Sequence, residues 1–227
     1  MRDVLFWDID GTLLSTARAG VFALEEAARE VCGTDASFSS LKTAGLTDSE
    51  VAERVIEACG GHPSPRLVTD FLRAYERHLP DRLHWRRGAV LPGVVEVLND
   101  LARRPHVACL LLTGNTPAGA RAKLSHYGIA HYFDDGVFCA DGDDRNAIAR
   151  RAPEVARRRA DGSLESSSLF VIGDTPEDVK CAQAIGARSV AIASGQCSLE
   201  ALQACGPWLS LLSLPTPQRF AEALGLT

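Results

Sequence analysis

The sequence has little lysine, no excess of basic residues and no long apolar run. Its 227 residues carry 24 Lys and Arg against 29 Asp and Glu, and the only lysines are Lys42, Lys123 and Lys180. A net charge of −5 provides no long-range attraction to nucleic acid or to an anionic membrane. An anionic substrate must therefore be held by a local site.

The sequence also lacks a C-x-x-C pair, and its seven cysteines are scattered along the chain. This pattern favours free, mostly buried thiols in a reducing compartment over a disulfide framework. The apolar run before Asp8 is only four residues long, too short for a signal peptide or a membrane span. We therefore expect a cytoplasmic protein, a monomer or a homodimer, with no nucleic-acid or membrane partner.

Short apolar runs alternate with helical patterns along most of the chain. The runs that predict strands are 4–7, 107–112, 137–140, 169–172 and 189–193. Strand and helix in alternation predict an α/β fold, a doubly wound parallel sheet with helices on both faces. Asp8, Thr113 and Asp174 each follow such a run. Because ligands bind beyond the carboxyl ends of parallel strands, we expect these three side chains to converge.

One stretch, from about Ser15 to Arg87, contains only helical patterns. They cover 16–31, 47–59 and 65–79. We expect a small all-helical cap at 15–87, inserted into an α/β core that comprises 1–14 and 88–227.

The segment 8–13, with the sequence DIDGTL, directly follows the first apolar run. The carboxylates of Asp8 and Asp10 can face one pocket there, and their repulsion raises one pKa unless a divalent cation neutralises them. A hard, oxygen-binding ion such as Mg²⁺ is the natural partner of this pair. The segment therefore predicts a magnesium site.

These features resemble the haloacid dehalogenase superfamily, in the phosphatase branch that includes phosphoglycolate phosphatase. Residues 8–13 (DIDGTL), 111–115 (LLTGN) and 173–178 (GDTPED) are similar to motifs one, two and four, in the same order. The helical stretch is similar to the family's small cap. Residues 44–48 (AGLTD) are similar to the cap segment that faces the active site. The resemblance covers essentially the whole chain.

The resemblance implies a nucleophile at Asp8, which would form an aspartyl-phosphate. It implies that Asp10 acts first as general acid and then as base, which favours phosphoryl transfer over dehalogenation. Mg²⁺ would be bound by Asp8, by Asp174 and by the main-chain carbonyl of Asp10. Asp178 has the position either of an outer metal-shell residue or of a helix-capping residue.

The resemblance also implies a set of substrate-binding residues. Thr113 and the backbone N–H of Gly114 would bind the phosphoryl oxygens, with Asn115 close by, where the following helix N-terminus also favours anions. Thr47 would contact the substrate from the cap.

The family's motif three supplies a basic residue, usually Lys, and here the sequence departs from the pattern. Between Lys123 and Lys180 there is no lysine, so we expect Arg145 to fill this role, since Arg keeps its charge and can bind phosphate with two donors. The alternative is a surface Arg145 paired with Asp141 or Asp144. Lys123 is the other candidate for this role, but it lies in the helix after motif two and is expected to point to solvent.

The predicted activity is the Mg²⁺-dependent hydrolysis of a small phosphorylated metabolite. A phosphomutase of the β-phosphoglucomutase type uses the same core and remains an alternative, as does a non-catalytic protein that binds a phosphorylated ligand. The sequence does not rank sugar phosphates, phosphoglycolate and nucleotide monophosphates as substrates.

Overall fold

The computed structural model describes residues 3–85, 87–140, 143–159 and 168–226. The strands are β1 (Asp3–Trp7), β2 (Leu14–Ser15), β3 (Ala89–Val90), β4 (Val107–Leu112), β5 (Gly136–Val137), β6 (Leu169–Gly173), β7 (Arg188–Ile192) and β8 (Leu209–Leu211). The helices are α1 (Ala19–Cys32), α2 (Asp48–Ala58), α3 (Pro65–Trp85), α4 (Val94–Leu101), α5 (Pro117–His126), α6 (Arg145–Arg159), α7 (Pro176–Ala184), α8 (Leu199–Gln203) and α9 (Pro217–Leu224). Within the described ranges, every helix is too short or too polar to cross a membrane.

A six-stranded sheet in the order β5-β4-β1-β6-β7-β8 forms the centre of the molecule, and all its strand pairs are parallel. Successive side chains of a strand point to opposite faces. Leu5 and Trp7 therefore pack under α4, α5 and α9, whereas Val4 and Phe6 pack under α6 and α7. This confirms the predicted doubly wound α/β fold, with both faces of the sheet covered.

Helices α1, α2 and α3 surround a separate hydrophobic cluster, with Phe71, Leu79 and Leu83 fully buried in it. The chain enters this helical region after β2 and leaves it before β3, and these two short strands pair antiparallel. Ala17 and Arg18, directly after β2, have φ values of 47° and 68°, a left-handed conformation that costs free energy for residues other than glycine.

Three predicted element bounds differ from the structure by three residues or more. Helix α1 begins at Ala19 and not at residue 16. Helix α3 does not end at Leu79 but continues through Pro80 to Trp85, because Pro80 lies on the exposed face while Leu83 is held in the hydrophobic cluster. Strand β5 ends at Val137 rather than at Ala140.

The seven cysteines are free, as predicted. The expectation that most are buried was wrong, because five of them are only partly buried.

Candidate active site

The loop after β1 brings the first acidic pair to the carboxyl edge of the sheet. Gly11 turns the chain with a φ of 84°, and its N–H donates to the carbonyl of Leu14 at 2.9 Å. A Cβ at Gly11 would overlap the carboxylate of Asp174. The hydroxyl of Thr12 donates to the same carboxylate at 3.1 Å. The turn thus links the loop after β1 to the loop after β6.

Three buried carboxylates meet at this edge. Asp8, Asp174 and Asp178 each offer an oxygen, and the three oxygens lie within 4.8 Å of one another. Burial, reinforced by the charge of Asp178, raises the pKa of Asp8 to about 7. Burial and the charges of Asp178 and Asp8 raise the pKa of Asp174 to about 8. This excess of negative charge on hard oxygen donors fits a divalent cation.

Asp178 is a helix-capping residue whose carboxylate also lies in the acidic cluster. Its carboxylate belongs to the acidic cluster. The same carboxylate accepts hydrogen bonds at the start of α7, from the Thr175 hydroxyl at 2.7 Å and from the Thr175 N–H at 3.1 Å. The helix cap therefore holds Asp178 next to Asp8 and Asp174.

Arg145, the first residue of α6, supplies positive charge to this cluster. It is buried, its Nη1 lies 3.6 Å from Asp8 Oδ1, and its Nη2 donates to Asp178. Its Nε is buried and has no hydrogen-bond partner among the described residues. The surface position weighed for Arg145 is therefore wrong. Asp141, one of the partners considered for it, lies outside the described residues.

The loop after β4 carries Thr113, Gly114 and Asn115. Thr113 is fully buried, and a hydrogen bond from it opposes the raised pKa of Asp8. The Asn115 amide donates to the Thr113 hydroxyl at 2.8 Å and to Asp10 Oδ2 at 2.9 Å. A Cβ at Gly114 would lie only 2.5 Å from the carbonyl oxygen of Leu46, so glycine permits the close approach of the helical region here.

Thr47 lies near the site, but its side chain is used elsewhere. The hydroxyl caps α2 by accepting from the Glu50 N–H at 3.1 Å, and it donates to the carbonyl of Asp143 at 2.9 Å. Leu46 and Asp48 line the neighbouring cavity, whereas Thr47 is fully buried and is not among the described residues that line it. The structure does not bring the Thr47 side chain to the position expected for substrate contact.

The expectation that Lys123 points to solvent was wrong. Lys123 is 5% exposed, and its Nζ lies 2.5 Å from Asp10 Oδ2 and 2.6 Å from Asn115 Oδ1. One sequence signal was available, because Lys123 follows Gly119 by four residues and Ala120 by three. Residues at these spacings share one helix face, and here that face is buried.

A cavity of about 370 Å³ opens between the sheet edge and the helical region. At its base lie Asp8, Asp10, Asp174, Asn115, Lys123 and Arg145. Its walls include apolar residues of α1 and α2 and the phenol of Tyr75 from α3. The cavity can therefore hold a small molecule with one end against the acidic cluster.

A model of the haloacid dehalogenase-like hydrolase family matches residues 5–183. The chain belongs to this family. The hydrolase is 27% identical over 226 residues to the phosphoglycolate phosphatase of Pectobacterium atrosepticum, with 98% of this chain and 91% of that one covered. It is 25% identical over 200 residues to the phosphoglycolate phosphatase of Vibrio cholerae, with coverages of 85% and 84%.

Solved structures agree on the fold of this hydrolase. A structure described as a predicted phosphatase from Clostridium acetobutylicum superposes with a TM-score of 0.75 at 18% identity, with both chains covered completely. A hydrolase from Pseudomonas syringae gives 0.71 at 19% identity, with 99% of each chain covered.

Proposed function

We propose that the chain is a Mg²⁺-dependent phosphatase that hydrolyses a small phosphate monoester through an aspartyl-phosphate on Asp8. The observation that carries the proposal is the meeting of two complementary features. A buried acidic cluster suits a divalent cation, and beside it Arg145 adds positive charge to the lining of the same cavity. A phosphoryl group is the ligand that uses both.

The metal would be held by Asp8 and Asp174, with Asp178 beside them and the main-chain carbonyl of Asp10 as a further ligand. When bound, a divalent cation neutralises the carboxylates and polarises the phosphoryl oxygens. The chain itself supplies the ligand geometry. Gly11 and Thr12 hold Asp174, and the cap of α7 holds Asp178.

The residues of the chain account for both chemical steps. An oxygen of Asp8 attacks phosphorus, the bond from phosphorus to the leaving oxygen breaks, and Asp10 gives its proton to that oxygen. Asp10 then takes a proton from water, whose oxygen attacks phosphorus and releases Asp8. The N–H of Gly114 and the guanidinium of Arg145 would bind the phosphoryl oxygens throughout, as preorganised donors do in other acyl and phosphoryl transfers. Thr113 is fully buried and is not among the described residues that line the cavity, so its hydroxyl would act on Asp8 instead of on the substrate.

The helical region would act as the cap over this site, with the core at 1–14 and 88–227 and the cap at 15–87. Its support is the separate hydrophobic cluster of α1, α2 and α3 and the antiparallel pairing of β2 with β3 at the two crossings. The leaving group would occupy the cavity between cap and core. Phosphoglycolate is one candidate substrate, because two curated relatives are named for it.

The experiment compares the wild type with Asp8→Asn on a generic aryl phosphate in Mg²⁺. We expect turnover by the wild type, loss of turnover in a chelator, and no turnover by Asp8→Asn, because an amide cannot form the acyl-phosphate. Asp134→Asn is the matched control, since Asp134 is exposed. Steady hydrolysis by Asp8→Asn, above a trace from deamidation, would contradict the proposal.

A further inference from the structure

Two side chains hold one oxygen of Asp10. Lys123 Nζ lies 2.5 Å from Asp10 Oδ2, and the Asn115 amide nitrogen lies 2.9 Å from the same oxygen. Lys123 also donates to Asn115 Oδ1 at 2.6 Å, and Asn115 donates to the Thr113 hydroxyl. The two donors are therefore fixed to each other as well as to Asp10. We call this pair, Lys123 and Asn115, the Asp10 clamp.

The clamp leaves the two oxygens of Asp10 in different surroundings. Oδ2 receives both donors, whereas no hydrogen bond to Oδ1 is found among the described residues. The Asp10 side chain is 42% exposed and that of Lys123 only 6% exposed. The carboxyl group thus faces the cavity while the ammonium behind it is enclosed. A proton on Asp10 is therefore best carried by Oδ1, since Oδ2 must accept two hydrogen bonds.

The ammonium of Lys123 is held as a cation in this place. Burial opposes the charged form, but the negative charges of Asp10 and Asp48 outweigh it and raise the pKa of Lys123 above its ordinary value. An enclosed ammonium without such partners would be strongly unfavourable. The site thus has two buried cations with different partners, Arg145 for Asp8 and Asp178, and Lys123 for Asp10.

We propose that Lys123 is a positioning residue for proton transfer, which with Asn115 holds Asp10 Oδ2 so that Oδ1 carries the transferred proton. This role rests on the proposed function. In the first step the proton leaves Asp10 Oδ1 for the leaving oxygen as the bond from phosphorus breaks. In the second step Oδ1 recovers a proton from the attacking water. Lys123 keeps all its protons and stabilises the carboxylate that exists between the two steps.

The dependence on the leaving group separates this role from a purely structural one. A p-nitrophenolate ion leaves without protonation, whereas the alkoxide of an alkyl phosphate needs a general acid. Lys123→Met removes the charge and keeps most of the side-chain volume. We expect it to lower kcat/KM for an alkyl phosphate about a hundredfold, and that for p-nitrophenyl phosphate by no more than about threefold, since general acid catalysis contributes roughly 10²–10⁴-fold.

The controls use the same helix and the same clamp. Arg121→Met removes an exposed cation of α5 and should leave both rates unchanged, while Lys123→Arg should restore part of the alkyl phosphate rate. If Lys123→Met fails to fold by circular dichroism, Lys123→Gln removes the charge but keeps a polar side chain and should show the same selective loss.

The wild type should hydrolyse both esters. If it does, an equal loss of kcat/KM on the two esters in Lys123→Met, or no loss on either, would overturn the role of Lys123. Absence of turnover by the wild type on every ester in Mg²⁺ would instead overturn the proposed function, and this role with it.

Discussion

Removal of the Arg145 guanidinium should strongly impair catalysis. Its Nη1 lies 3.6 Å from Asp8 Oδ1, and two unit charges at that distance interact by roughly 5 kcal/mol at an effective dielectric constant of about 20. A bound phosphoryl group adds negative charge at the same place. Part of the loss is offset by the metal and by water that enters the space. We therefore expect Arg145→Ala to lower kcat/KM about a hundredfold or more, the effect of losing one preorganised donor.

The assay is steady-state hydrolysis of an aryl phosphate in saturating Mg²⁺, with folding of each variant checked by circular dichroism. Arg145→Lys should recover part of the loss, because an ammonium keeps the charge but not the planar fork of donors. Arg150→Ala is the matched control, since Arg150 is an exposed residue of the same helix. A well-folded Arg145→Ala with kcat/KM within about threefold of the wild type would refute the reasoning, because the loss of one preorganised donor lowers the rate far more than that.

Three further predictions concern the acidic cluster, the contact between the helical region and the loop after β4, and the helical region itself. The folded-state pKa values of Asp8 and Asp174, about 7 and about 8, exceed their ordinary value of 3.8. The metal-free protein should therefore lose stability as the pH rises from 3.8 to about 8, and Mg²⁺ should raise Tm more at about pH 8.5 than at about pH 6. An equal Tm shift at the two pH values would contradict this prediction. Gly114→Ala should lower the free energy of unfolding by about 1–3 kcal/mol in urea denaturation, because the new Cβ would overlap the carbonyl oxygen of Leu46. Unchanged stability would show that the backbone at Leu46 can move away without a cost in free energy. Phe71→Ala, at a fully buried site in the helical region, should cost about 3–5 kcal/mol in the same assay, and a loss below about 1 kcal/mol would show a loosely packed cluster.

Much of the site was predictable because its residues lie at the ends of recognisable strands. A run of apolar residues just before Asp8, Thr113 or Asp174 predicts a buried strand, and the polar residue after the run marks the carboxyl edge of the sheet where the strand ends. Parallel pairing then brings these residues together whatever their separation in sequence. Arg145 was predictable because no lysine lies between Lys123 and Lys180 and because Arg145 follows a predicted strand, where the resemblance implies a basic residue.

The rest depended mainly on tertiary contacts, which the local sequence pattern records only in part. Lys123 is a charged residue in a helix of mixed polarity, and such residues are mostly exposed. Its burial follows from the distant carboxylates of Asp10 and Asp48, which offset the cost of enclosing the ammonium. Thr47 belongs to a segment that does approach the site, but its hydroxyl is used to cap α2, a choice that depends on Glu50 and on the carbonyl of Asp143.

The most direct test of the central claim is the capture of the covalent intermediate. Asp10→Asn should still accept a phosphoryl group from an aryl phosphate in Mg²⁺, since p-nitrophenolate needs no acid, but it lacks the base that activates water for release. Acid quench followed by borohydride reduction should therefore convert Asp8 to homoserine, detected in the peptide that contains residues 8–13 by mass spectrometry. An unmodified Asp8 in that peptide while substrate is being turned over, or a phosphoryl group on another residue, would contradict the account.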